Sequence, residues 1–315
     1  MLPGRLNRIV ALAGLTNVCI AVVRTGVPAP VVPWCGFVLY DERDPGFEPL
    51  VTAETAWPRA DTRSTMDSDP ARLRQRIDEA TGRLAATAAA LTDDQAREPS
   101  LLPGWSRGHV LTHIARNADG LRNLLIWART GVVTPQYPNR EAREAGIVAG
   151  AGRPAAALAQ DVERSAAAFS AEAARVPDSA WDVPVHGING PDHPGWFTLA
   201  RRLTEVEIHH VDLRAGYAPG DWPEPFVAEQ LERVTGSFTV RADVPRCVIE
   251  VDGTGQRFAI GPASAEHDGD VVTVTGPGCW VLAWLTGRDP GTALSASGGP
   301  GGDDSGLPPR LPAWG

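Results

Sequence analysis

The chain has 315 residues, 43% of them hydrophobic and 21% charged, with a formal net charge of −9. That is enough apolar material for packed cores and excludes a disordered chain, while the acidic balance excludes a general nucleic-acid binder, which needs a basic face. All 29 basic residues are arginine, so a lysine Schiff base and a P-loop lysine are excluded too.

Residues 1–65 carry six acidic and six basic residues, so the whole −9 lies in 66–315. The apolar run 10–23 spans 14 residues, too few for a membrane helix. With Arg5 and Arg8 ahead of it, the run has the outline of a secretory signal. The rest of this stretch is Pro-rich and aperiodic. The expectation is an extension without a fold of its own, with Met66 as the natural start, because MDSDPARLRQRIDEA opens a strong helix at once.

Asp69 and Pro70 suit the cap and first position of a helix reaching about residue 91, with Leu73, Ile77, Leu84 and Leu91 as its apolar stripe. A second helix is capped by Ser106 and stopped by Gly131. A short helix covers about 140–149, a third long one 154–176 and a fourth 197–215, after the loop VHGINGPDHPG. Four long helices with apolar stripes predict an antiparallel bundle over 66–222. After residue 223 the texture changes. A helix over 225–241 is followed by the short β-branched runs 247–251, 257–260 and 271–275, then by an apolar helix over 278–288. The fold class is therefore α plus α+β: a four-helix bundle, a small α+β domain over 223–300 and a flexible Gly/Pro tail over 301–315.

None of the four cysteines forms a Cys-x-x-Cys pair, so no thiolate zinc site or redox dithiol is indicated, and nothing in the sequence asks for disulfides, which suits a reducing cytoplasm. The histidines are more informative. His109 and His113 lie four apart on the second long helix; Glu205 and His209 lie four apart on the fourth, with His210 beside them. An i, i+4 pair can grip a metal ion from one helix, and a third ligand then comes from another. Imidazole with carboxylate suits zinc and leaves a position for water or substrate. Asp212, three residues after His209, is within reach of an imidazole N–H.

The stretch LLPGWSRGHVLTHIARNADGLRNLLIWARTG, TPQY at 134–137, EVEIHHVDLRAGY, DWP at 221–223 and the C-terminal AWLTGR…LPAW resemble the mycothiol-dependent maleylpyruvate isomerase family, a branch of the DinB-like metal-binding bundles. The resemblance spans about 66–315. It implies zinc held by His113, Glu205 and His209, with His109 beside the ligands and His210 turned away. It implies mycothiol as thiol cosubstrate, and Arg288 as the C-terminal arginine that stabilises an enolate or grips a substrate carboxylate. The implied reaction adds a thiolate to the cis double bond of maleylpyruvate, rotates the new single bond and expels the thiolate to leave fumarylpyruvate. The alternatives are a mycothiol S-transferase acting on electrophiles and a non-catalytic metal- or ligand-binding protein. The partners implied are small molecules, with no nucleic acid and no membrane, acting on a monomer. Two positions depart from the family pattern. Thr204 stands where an Arg usually precedes the ligand Glu, and Glu207 where a Trp usually follows.

Overall fold

The computed structural model describes residues 10–11, 20–21, 67–188, 190–239, 241–262, 271–298 and 306–314. The chain divides into two units, 1–55 and 56–315. In the first, the described pairs Val10–Ala11 (β1) and Ile20–Ala21 (β2) form an antiparallel ladder. The remainder of the expected extension over 1–65 and the expected start at Met66 lie outside the described residues, as do 301–305 and 315 of the expected tail.

The second unit opens with α1, Pro70–Ala90, where the Asp69 side chain accepts from the backbone N–H of Ala71. Leu73, Ile77 and Leu84 turn inward as their spacing predicts. A short helix that periodicity missed, α2 (Asp93–Arg97), is held by a reciprocal capping box between Thr92 and Gln95. The central helix α3 (Arg107–Thr130) starts at Ser106 and ends at Gly131, whose φ of 71° closes the left-handed cap. His109 completes the box at the N-terminal end, where its Nδ1 accepts from the Ser106 N–H at 3.2 Å and its ring stacks on Trp105. Then come α4 (Arg140–Ala151), α5 (Ala155–Ala173), a two-residue hairpin of β3 (Pro184–Val185) and β4 (His193–Pro194), and α6 (Phe197–Asp212).

Helix α3 packs against α5, α4 and α6, and α1 closes the bundle against α5 and α6. The core is aliphatic, with Leu84, Leu111, Leu121, Leu124, Val162 and Leu199 all fully buried. One polar knot ties α3 to α5. Buried Asp161 accepts from Arg116 of α3 at 2.8 Å and from Arg153 at 2.6 Å.

Beyond the bundle, α7 (Glu224–Phe238) and α8 (Gly278–Leu285) lie on a sheet of order β6-β5-β7-β8. Its strands are β5 (Cys247–Val251), β6 (Arg257–Ile260), β7 (Val272–Gly276) and β8 (Ser295–Ser297). β5 pairs antiparallel with β6 and parallel with β7, and β8 adds an antiparallel edge to β7. The period of two sends Cys247, Ile249 and Val251 inward and leaves Glu250 exposed. The fold class read from the sequence, helical bundle plus small α+β unit, is the one observed. β8 lies in a Ser/Ala stretch with no β-branched signal.

Residues 306–314, expected within a flexible tail, run back over the α+β unit. Pro309 offers its carbonyl to the Trp284 indole at 3.0 Å, and Leu311 and Trp314 pack against the core. Leu311 and Trp314 supply the apolar area that a solvated tail lacks. Among the described residues, no helix is long and apolar enough to cross a membrane.

Replacing Asp161 by Ala leaves Arg153 without its carboxylate and Arg116 with Asp119 alone, and because these guanidinium groups are about a third exposed the expected loss of unfolding free energy is about 1–2 kcal/mol, read from urea denaturation.

Candidate metal centre

On α6 the residues Arg201, Glu205, His209 and Asp212 follow one another at four-, four- and three-residue steps, which places them along one face. That face meets His113 of α3. Nε2 of His113 lies 3.0 Å from Oε2 of Glu205 and 3.1 Å from Nε2 of His209, and the last two atoms are 3.2 Å apart. Three potential donor atoms from two helices thus converge on one point, as the sequence spacing and the family resemblance led one to expect. A tetrahedral zinc with bonds of ~2.05 Å needs donor–donor separations of about 3.3 Å. The observed triangle fits that donor set with little movement. His113 is buried, whereas Glu205 keeps a quarter of its side-chain surface and His209 about a sixth. The point of convergence therefore opens to solvent on the α6 side.

The electrostatics follow from this crowding. Burial pushes the Glu205 carboxyl up, but hydrogen bonds from His113 and His209 outweigh it and hold the group well below the ordinary range. Burial, followed by the charge of His209, lowers His113. His209 is raised: burial opposes its charge, and the carboxylates of Asp212 and Glu205 overcome that. Asp212 has no solvent exposure and takes the ring N–H at Nδ1 of His209 on Oδ2 at 2.7 Å, which leaves Nε2 free as a donor atom.

The other singled-out residues fall elsewhere. His210 contacts Thr87 at 2.8 Å and stacks on the Tyr217 ring, facing away from the cluster. His109 is spent on the α3 cap. Glu207, the departure two residues after Glu205, is buried toward α1, where Arg83 and Tyr217 each donate to it at 2.6 Å. Arg288 is not among the donor atoms. Its Nε and Nη2 both reach Asp212, at 3.0 and 2.7 Å, and its Nη1 reaches the Thr286 carbonyl at 2.6 Å. The fork expected to face a substrate carboxylate or enolate is closed on Asp212, one step behind His209.

Several arginines near the cluster gave no motif. Nη2 of Arg143 of α4 lies 3.1 Å from Nδ1 of His113. Arg201 contacts Nε2 of His193 at 3.2 Å, and Arg233 of α7 reaches Thr204, which precedes Glu205. Only Arg201 had a usable signal, one turn before Glu205 on the same face. The other two approach from separate helices.

Residues 77–214 match the family model described as the mycothiol maleylpyruvate isomerase N-terminal domain. Residues 77–214 thus carry a domain of that family. A crystal structure of the mycothiol-dependent maleylpyruvate isomerase superposes with a TM-score of 0.71 at 28% identity, over 78% of this chain and 97% of that one. A histidine-to-alanine mutant of that enzyme gives the same TM-score at 27% identity. No match was found among curated proteins. The match to nearly the full length of the isomerase carries the relationship beyond the bundle into the α+β unit.

Two outcomes are expected. Asp212→Asn removes the carboxylate charge and replaces one of the two acceptor oxygens shared by His209 and Arg288 with an NH2 donor, which no longer holds the His209 proton on Nδ1, so affinity for a divalent cation should fall about 10- to 100-fold, measured by competition with a chromogenic chelator. His193 is buried, and burial lowers its pKa to about 4. Its folded value lies below its unfolded one, so the unfolded chain takes up the proton first and stability is lost as pH falls from about 6.5 toward 4. His193→Gln should flatten that limb by up to ~3 kcal/mol in pH-dependent urea melts.

Proposed function

We propose that the protein is a zinc- and mycothiol-dependent isomerase that converts the cis double bond of maleylpyruvate, or of a closely related acid, to the trans form. The observation that carries this reading is the convergence of His113, Glu205 and His209 within 3.2 Å of one another, in a chain that carries this family's domain. Those three residues would hold the cation. A divalent ion there supplies Lewis acidity that lets a thiol react as thiolate at neutral pH.

The protein's own residues do the rest. Asp212 keeps the His209 proton on Nδ1, and Arg288 pins Asp212 from the α+β unit. We therefore assign Arg288 to positioning rather than to contact with the reacting atoms. The thiolate sulfur bonds to one alkene carbon while the π electrons move onto the conjugated carbonyl oxygen. Rotation about the resulting single bond, return of the electron pair and loss of the thiolate give the trans isomer with no net change in atoms or electrons. No protein thiol is needed. Cys247 and Cys279 are both free, and burial pushes the Cys247 thiol up to about 12. Free thiols accord with a reducing cytoplasm, where a thiol cosubstrate persists.

The test is elemental analysis of the purified protein, followed by turnover of maleylpyruvate with and without mycothiol and, in parallel, of a generic aryl halide electrophile. The expected result is about one zinc per chain and isomerisation strictly dependent on mycothiol. Transfer to the electrophile without isomerisation would replace the isomerase with an S-transferase. His113→Ala should lose the metal and, with it, activity by at least ~100-fold; full zinc content in that variant would overturn the ligand assignment.

A further inference from the structure

Among the described residues several partly buried arginines are matched by a carboxylate, while fully buried Arg202, away from the opening, bonds the Ile114 carbonyl and the Asn117 amide oxygen. Arg76 pairs with Glu229, Arg83 with Glu207, Arg116 with Asp161, Arg129 with Glu172 and Arg288 with Asp212. Arg201 and Arg233 break that pattern beside the donor cluster. Nη1 of Arg201 meets the imidazole of His193, and its Nη2 lies 3.4 Å from the amide oxygen of Gln136. Nε and Nη2 of Arg233 share the amide oxygen of Gln230, at 3.1 and 2.7 Å, and Nη2 lies 3.4 Å from the Thr204 hydroxyl. Every one of these partners is neutral, and neither arginine has an ion pair among the described residues.

Both guanidinium groups stand at the cluster. Arg201 lies one turn before Glu205, displaced by only ~40° around α6, and Arg233 contacts the residue next to Glu205. The charge of Glu205 favours the charged form of both, yet burial lowers both, and Arg233, which also feels Arg201, comes down to about 10. Two cations are thus kept close together and largely out of water, an arrangement that costs free energy unless an anion completes it. The one internal carboxylate near both is already held by two imidazoles.

Gly187 packs against the Arg201 guanidinium and the Gln136 amide oxygen. His193, neutral with its Nδ1 on the Pro194 carbonyl, offers Nε2 as an acceptor. Both arginines retain partial exposure, as does Glu205, so a small solute can reach them.

We propose that Arg201 and Arg233 form a carboxylate-binding subsite beside the donor cluster, and that they restrict its substrates to acidic alkenes over neutral electrophiles. This rests on the isomerase reading and adds the residues that select the substrate. A guanidinium fork binds a carboxylate through two parallel N–H···O bonds, which a neutral amide or ester cannot match.

The test is calorimetric titration of the metal-loaded protein with maleate and, separately, with its neutral diamide, no thiol being present. Maleate is expected to bind and the diamide to bind at least 10-fold more weakly. Arg201→Gln and Arg233→Gln should each weaken maleate about 10-fold or more, with zinc content and melting temperature retained, and Arg201→Lys should recover part of the loss. Maleate affinity unchanged in both Gln variants, or equal affinity of the parent protein for maleate and the diamide, would overturn the subsite. Because the parent protein alone discriminates the two solutes, a variant that fails to fold does not remove the test. Binding is read without turnover, so an inactive protein whose maleate affinity depends on these arginines refutes only the isomerase. An active isomerase indifferent to their loss refutes only the subsite.

Discussion

The buried carboxylate of Asp212 holds the architecture and the chemistry together. One oxygen accepts the His209 ring N–H and Nη2 of Arg288, and the other accepts Nε of Arg288. A carboxylate without solvent exposure would be costly alone; here two cationic or proton-donating partners offset that cost. The partners come from different parts of the chain. His209 belongs to the bundle, and Arg288 follows α8 of the α+β unit, beyond its Thr286 cap. The orientation of a candidate metal ligand is therefore set partly by a domain that contributes no ligand.

Around that axis the charges are arranged in depth. The donor cluster contains one carboxylate and two imidazoles, and Arg143, Arg201 and Arg233 surround it from α4, α6 and α7. A chain without lysine brings to this cleft only cations that keep their charge at any physiological pH. Burial lowers Arg201 and Arg233, but a group brought down to about 10 remains protonated near neutrality. Arg201 and Arg233, which have no ion pair among the described residues, thus favour anionic solutes beside the cluster.

Much of this was legible in the sequence where the information is local. Caps at Asp69 and Ser106, the stop at Gly131 and the apolar stripe of α1 gave the bundle because each depends on neighbours within a turn or two. The i, i+4 step from Glu205 to His209 put two donors on one face, and the family resemblance supplied His113 over His109. What stayed hidden depends on contacts between distant segments. Nothing near Arg288 reveals that its fork closes on a residue 76 positions away. Arg143 and Arg233 meet the cluster only through the packing of α4 and α7. β8 forms on a Ser/Ala run because β7 needs an edge partner, and residues 306–314 are ordered by what Trp284, Arg233 and Arg241 offer them rather than by their own propensity.

That returning segment has a consequence for the cleft. Trp314 lies 5.5 Å from the guanidinium carbon of Arg233, and the Ala313 carbonyl accepts from Arg241. The indole covers part of a cation whose Nη2 also reaches the Thr204 hydroxyl, beside Glu205. Peeling 306–314 away would admit solvent to that cation, raise the local dielectric and damp the field reaching Glu205. The seating of the last residues of the chain is in this sense a gain control on the electrostatics of a site more than 100 positions earlier in the sequence.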